Sequence, residues 1–225
     1  MSVGVARDVL RMVGPARTVL HVVPWLVRRR YIFYALTLPV ADRSSSGGVD
    51  LTIATDQDLA RLAWIRPQMY TLSQIEERIR DGHLPLIARR GEAVVHIRWV
   101  FTRTVYVPYL RRRLVLEDGD VLLDEIYTLP EWRRTGVERA VAVAMPPLLY
   151  RMGYRRVLGI VASWNLAPQR VAESFGYVRL GSCGYWTLPG LRRHIWEGAV
   201  EERPDGMVIV GRRAPAGREH TTGVV

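Results

Sequence analysis

Lysine is absent from this chain, and all 32 basic residues are arginine. Against 22 acidic residues they leave a formal net charge of +10. Such a charge invites a nucleic-acid or anionic-membrane partner. Uniform arginine usage instead looks like the composition bias of a GC-rich genome, and the arginines are spread along the chain rather than gathered in a tail. A solvated basic surface accounts for them. No helix-turn-helix or RNA-binding signature accompanies the charge, so nucleic acid is not expected as a partner. Cysteine is nearly absent as well. A single Cys183 excludes an internal disulfide framework and a cysteine-based zinc site. It suits a reducing, cytoplasmic compartment, and nothing near it in sequence is a base that would make it a nucleophile. His21, His83, His96, His194 and His220 are scattered with no pair at ligand spacing, so no metal site is expected. Long apolar runs are also missing: none reaches the ~18–20 residues of a membrane span.

What is present is enough for a full core. The chain has 225 residues, 48% of them apolar and 24% charged, which is ordinary for one globular domain with extensions. The stretch from Asp124 to Tyr177 organises it. An apolar run over 121–129 reads as a strand, and Pro130 to Ala140 turns the corner. Val137, Ala140, Val141, Ala144 and Leu148 recur at helical spacing toward about Met152. Met145-Pro146-Pro147 predicts a bend or break in that helix, because an interior proline removes a hydrogen bond. A second strand follows at 156–162. Asn165 is placed to cap a short helix that ends at Phe175-Gly176-Tyr177.

The turn carries the chemistry. The first N–H groups of a helix have no partner in the chain and point outward, and the helix dipole adds positive potential there. Gly136 leaves the backbone bare, with Arg133 and Arg134 just before it. Such a place takes a phosphate or pyrophosphate.

Pro130-Glu131-Trp132-Arg133-Arg134-Thr135-Gly136 resembles the acyl-CoA turn of the GNAT acyltransferase superfamily. That pattern is Arg or Gln, two residues, Gly, one residue, then Gly or Ala. Asn165, Ala167 and Phe175-Gly176-Tyr177 are similar to that family's second motif. The resemblance covers roughly residues 50–190. It implies an α/β (α+β) fold with a mixed, mostly antiparallel sheet flanked by helices. It also implies transfer of an acyl group, most simply acetyl, from acyl-CoA to a small-molecule or peptide amine. The donor would be held by Ile126, Tyr127 and Thr128 on the strand. Arg133, Arg134, Thr135, Gly136, Val137, Glu138 and Arg139 would hold it at the turn, and Asn165 beside the pantetheine arm. Asp124 or Glu125 would take the proton of the amine. Neighbours on a strand face opposite ways, so only one of the pair is expected to enter the cleft, and the sequence does not say which. His83, in the loop after a helix, is a candidate substrate contact, as is Tyr185. Two positions depart from the pattern. Glu138 stands where a small residue is usual. Ala172 stands where some members carry a tyrosine that protonates the departing thiolate. A fold-retaining binding or scaffold protein, and a transferase of the same fold that uses aminoacyl-tRNA, are the alternatives.

The remaining chain is read around this unit. Residues 1–48 form an N-terminal extension, 49–212 the acyltransferase-like domain and 213–225 a mobile polar tail. Within 1–30, apolar residues at helical spacing alternate with arginines. That pattern suits the surface of an anionic membrane; the alternative is a pair of short helices packed on the domain or on a second copy in a homodimer. Residues 31–38 read as a strand, with the polar loop 41–48 as boundary. Further strands are expected at 51–54, 85–89, 93–103 and 177–188. Residues 105–116 read as one bent strand. Helices are expected at 56–63, with Thr55 as cap, and at 73–81, where Ser73 and Glu76 match a capping box. Val95, Ile97, Trp99 and Phe101 should face the core, with His96 and Arg98 opposite. Residues 191–198 read as a small helix and 207–211 as a last strand.

Overall fold

The computed structural model describes residues 28–40, 48–59, 71–188 and 191–211. Residues 1–27 of the expected membrane-surface segment, residues 41–47 of the expected loop, residues 60–63 of the expected 56–63 helix and the C-terminal tail lie outside the described residues.

Among the described residues, twelve strands form two sheets. The large one contains β1 (Arg28–Thr37), β2 (Asp50–Ile53), β3 (Leu84–Arg90), β4 (Ala93–Phe101), β7 (Asp120–Thr128), β8 (Arg156–Ala162), β9 (Val178–Leu188) and β10 (Leu191–Gly198). Its order is β10-β9-β1-β8-β7-β4-β3-β2. Every neighbouring pair is antiparallel except β7 and β8, which run parallel. The small sheet joins β5 (Thr104–Val107), β6 (Arg112–Val115), β11 (Val200–Glu202) and β12 (Val208–Val210) in the order β11-β12-β6-β5. The expected mixed, mostly antiparallel sheet flanked by helices is what the chain forms.

Several local expectations change. The strand assigned to an N-terminal extension, β1, is an interior strand between β8 and β9, so the boundary at residue 48 does not detach it from the sheet. Residues 105–116 form a hairpin, β5 and β6, in which Arg111 reverses the chain at φ 54°. Residues 191–198 pair along their length with β9; ladder hydrogen bonds override an apolar spacing that suited a helix. Helix α1 (Leu72–Arg80) starts one residue earlier than read. Its capping box uses Thr71 and Gln74, with the Thr71 N–H donating to Gln74 Oε1 over 2.9 Å. Helix α2 (Val137–Arg151) runs unbroken through Pro146 and Pro147. Tertiary packing holds it: Met145, Pro146 and Leu149 are buried against the sheet. Helix α3 (Leu166–Ser174) follows β8.

The two faces of the large sheet have separate cores. On one, Phe33, Trp99, Leu122 and Leu158 meet Ile75 of α1 and the small sheet's Val105, Leu114 and Val208. On the other, Leu36, Val100, Val121 and Val157 meet Met145 and Leu149 of α2. The central strand β4 is therefore covered on both sides, and His96 and Arg98 are buried too. At the start of β7, Asp120 is ion-paired with Arg156, whose Nη1 and Nη2 also donate to Gly211 O (2.7 Å) and Val210 O (3.0 Å). This fastens the end of β12 to the large sheet.

Candidate active site

The parallel ladder of β7 and β8 runs from Asp120↔Arg156 to Leu123↔Gly159 and stops there. Beyond it β7 stays paired with β4 as far as Thr128, and the β8 ladder does not continue alongside. The same strand is bulged at that point. Trp99 pairs with Asp124 and Ile97 with Tyr127, leaving two residues of β7 opposite the single Arg98. Glu125 takes up the extra length at φ 52°, in the left-handed region. A non-glycine residue there costs roughly 1–2 kcal/mol, and such strain persists only where surroundings impose it. Here the Glu125 N–H donates to Asp124 Oδ1 over 2.7 Å. Its carboxylate receives both guanidinium arms of Arg78, at 2.6 and 3.1 Å.

The bulge overturns the expectation that Asp124 and Glu125 face opposite ways. Asp124 lies across from Trp99, and Glu125 is held by Arg78, whose guanidinium stacks over Trp99 and Phe101 at 5.0 and 5.5 Å. Both carboxylates therefore sit on the α1 side of the sheet. Asp124 Oδ2 accepts a 2.8 Å hydrogen bond from the Tyr109 hydroxyl. Burial pushes the Asp124 carboxyl above the ordinary aspartate range. Burial, and next the negative charge of Asp124, hold the Tyr109 phenol well above its own range. Tyr109 packs on Tyr31 (4.9 Å between centroids), and Tyr31 meets the half-exposed Trp164 edge-on (5.6 Å). An aromatic row thus leads from the surface toward the buried acid.

On the α2 side, a cleft of about 600 Å³ opens between the end of β7 and the start of α2. Ile126, Tyr127 and Thr128 form one wall, and Val137, Glu138 and Arg139 of the first helical turn form the other. Arg133, Arg134 and Gly136 complete the lining. Thus nine of the expected donor-binding residues come together. Thr135 does not line the cleft. It shapes the turn, its hydroxyl donating to Trp132 O over 2.7 Å and its carbonyl accepting from Arg90 Nη2 over 3.3 Å. Trp132 lines the cleft and was missed although it stands inside the quoted turn, because it is not a position of the phosphate pattern; Arg90, whose guanidinium stacks on the Trp132 ring at 5.5 Å, comes from the distant β3 and carries no signal in the turn. Arg133 bends back, donating from Nε to Thr128 O over 3.2 Å. Arg134 (φ 63°) and Gly136 (φ 81°) both adopt the left-handed conformation, and a Cβ added to Gly136 would meet nothing within 4 Å. The first bond within α2 runs from the Ala140 N–H to Gly136 O, so the Val137, Glu138 and Arg139 N–H groups have no partner inside the helix. These features suit a phosphate-bearing ligand. Glu138 brings an exposed carboxylate to the same wall.

Three other expected site residues lie outside this cleft. His83 is turned into the protein: it is 6% exposed, stacks edge-on against Phe101, and its Nδ1 accepts from the Thr102 N–H over 3.2 Å. Burial lowers its pKa. Tyr185 is a core residue between the sheets, against His194. Asn165 occupies the N-cap of α3, but its side chain makes no capping bond. Gln169 instead reaches back, Nε2 donating to Ala162 O, Ser163 O and Asn165 O.

Among the described residues no cluster of His, Cys, Asp and Glu could hold a metal, and no helix is long and apolar enough to cross a membrane.

No protein-family model matches the chain, and no curated protein matches it. Among solved structures it is similar to a GNAT-family protein from Novosphingobium aromaticivorans: identity is 12%, 70% of this chain and 62% of that one are covered, and the TM-score is 0.50. A GCN5-related N-acetyltransferase from Sphaerobacter thermophilus shares 15% identity over 80% of this chain and 55% of its own, with a TM-score of 0.45. A functionally unknown conserved protein from Staphylococcus epidermidis shares 13% identity over 76% of this chain and 62% of its own, with a TM-score of 0.46. The chain spans less than two thirds of each of these three structures. The first similarity identifies the architecture: the chain has the GNAT acetyltransferase fold.

Proposed function

We propose that this protein transfers an acyl group from acyl-CoA to an amine. The observation that carries the reading is the bulged end of β7. One strand segment presents two carboxylates on one face of the sheet and a phosphate-suited cleft on the other.

In this reading the segment Ile126 to Thr128, past the end of the β8 ladder, lies along the pantetheine arm. The Val137 to Arg139 N–H groups, with the Arg134 and Arg139 side chains, take the pyrophosphate. Binding far from the reacting carbon fixes the thioester next to the amine, and proximity supplies much of the rate. An ammonium ion has no lone pair to attack with, so a base is needed. Asp124 is that base: it is desolvated, so its affinity for a proton is raised, and Tyr109 orients it. Glu125, neutralised by Arg78, holds the bulge and gives the acceptor side its shape. Asp124 and the aromatic row beside it suit a cationic amine, whether a small molecule or a peptide end.

One observation favours a second reading. The Glu138 carboxylate lines the cleft and repels a pyrophosphate, as a fold-retaining binding protein without transfer activity would require. Calorimetric titration with acetyl-CoA, of the unaltered protein and of Glu138→Gly, separates the two. Micromolar binding by the unaltered protein is the expected result. Binding by Glu138→Gly alone sinks the transferase reading and leaves the second.

A further inference from the structure

Among the described residues Arg98 is a buried cation without a counterion. It is 7% exposed, and among the described residues no carboxylate comes within ion-pairing distance of it. Its Nε has no hydrogen-bond partner, and Nη1 meets only the Met145 sulfur, at 3.7 Å. Desolvation disfavours its charged form, with more distant attractions from Tyr177, Glu138 and Asp124 as partial compensation. A guanidinium stays protonated even so. Taking such a charge out of water without a partner is among the most expensive arrangements a fold can hold, and an orphaned buried donor asks for the group it waits for.

Its position says which group. Arg98 is the one β4 residue opposite the bulged pair Glu125 and Ile126. Its contact with Met145 puts it on the α2 face, whereas Asp124, across from Trp99, is on the α1 face. Ile126 and Glu138 both line the cleft. Arg98 adjoins the first by register and feels the second electrostatically. The base and the orphaned cation thus flank the same bulge from opposite sides.

Resting on the acyl-CoA reading, we propose that Arg98 is the catalytic residue that receives the departing thiolate. The amine nitrogen bonds to the acyl carbon as the C–S bond breaks. The amine proton goes to Asp124 on the α1 side. The electron pair stays on sulfur, which leaves on the α2 side as a thiolate paired with Arg98 and takes its proton from water on release. No other co-reactant is needed. Tyr177 is a poorer partner for the sulfur, because burial pushes its phenol to about 12.

The test needs no acceptor. Free CoA is bound to the protein, and its thiol is titrated by the ultraviolet absorbance of the thiolate, with unaltered protein, Arg98→Met and Arg98→Lys. A nearby cation lowers a thiol pKa by about one unit or more. The unaltered protein and Arg98→Lys are expected to show that depression, and Arg98→Met to lose it while folding at least as stably, since an apolar residue of similar volume often replaces a buried charge at no cost. Should Arg98→Met fail to fold, Arg98→Gln carries the same measurement. An unshifted thiol on the unaltered protein, or the same shift in both Arg98→Met and the unaltered protein, overturns the assignment while leaving the donor reading standing. Absence of CoA binding by the unaltered protein removes both.

Discussion

The Tyr109 hydroxyl donates a 2.8 Å hydrogen bond to Asp124, and the bond ties a turn of the small sheet to a strand of the large one. Tyr109 lies in the β5–β6 turn of the small sheet, and Asp124 lies where β7 leaves β8 in the large one. The bond favours the charged carboxylate, and burial opposes it more strongly.

Asp124→Asn should lower the transfer rate about 10²- to 10⁴-fold, the usual worth of a positioned base. A base works only when deprotonated. Since the Asp124 pKa is raised, the rate of the unaltered enzyme should fall with acid at a higher pH than an ordinary aspartate would give. Tyr109→Phe removes a donor to the anion, so it raises that pKa further and moves the acid limb to still higher pH. A pH profile of kcat/KM checks both, and a limb that Tyr109→Phe moves toward lower pH would remove Asp124 from the role.

The left-handed Glu125 gives a stability test of the bulge. Any substitution loses the bond to Arg78, but glycine adopts φ 52° without strain and alanine does not. Glu125→Gly should therefore be more stable than Glu125→Ala by about 1 kcal/mol in urea denaturation. On an ordinary strand the order would be the reverse.

Asp120→Ala leaves Arg156 buried and unpaired, with side-chain exposures of 8% and 3% in the native pair. The loss should be about 3–5 kcal/mol by denaturant titration. A loss under about 1 kcal/mol, typical of a surface pair, would mean that water reaches this site.

Cys183 is buried, and burial pushes its thiol up to about 12. It is therefore protonated at neutral pH and shielded. A thiol reagent should label it only as the protein unfolds, with the labelling midpoint at the denaturation midpoint. Fast labelling of the native protein would place it at the surface.

Gly136→Ala separates shape from space at the turn. Its Cβ meets no atom, so the cost is the left-handed backbone alone, about 1–2 kcal/mol in stability. CoA affinity should fall as well, which the same calorimetric titration measures.

Much of this was legible beforehand, for local reasons. The parallel pair β7 and β8 shows as two apolar runs with a helical period between them, and Arg133 to Gly136 marks a phosphate-suited turn. Nine of the residues that line the cleft come from one continuous stretch, because neighbours in sequence stay neighbours in a turn and the helix it starts. His83 and Tyr185 could not be read this way. Whether a loop histidine or a strand tyrosine faces a cleft depends on what packs over it, here Phe101 and the small sheet.

By itself the sequence determined the order of the central elements, the helix start that suits an anion, and the presence of two adjacent acids at the end of one strand. These follow from periodicity and from backbone groups a few residues apart. Only the tertiary structure decided that both acids share a face, that β1 completes the middle of the sheet, that α2 stays whole through two prolines, and that Arg98 is buried with no carboxylate beside it among the described residues. Each of these depends on strand register or on packing between distant segments, and neither is written in the spacing of residues along a single element.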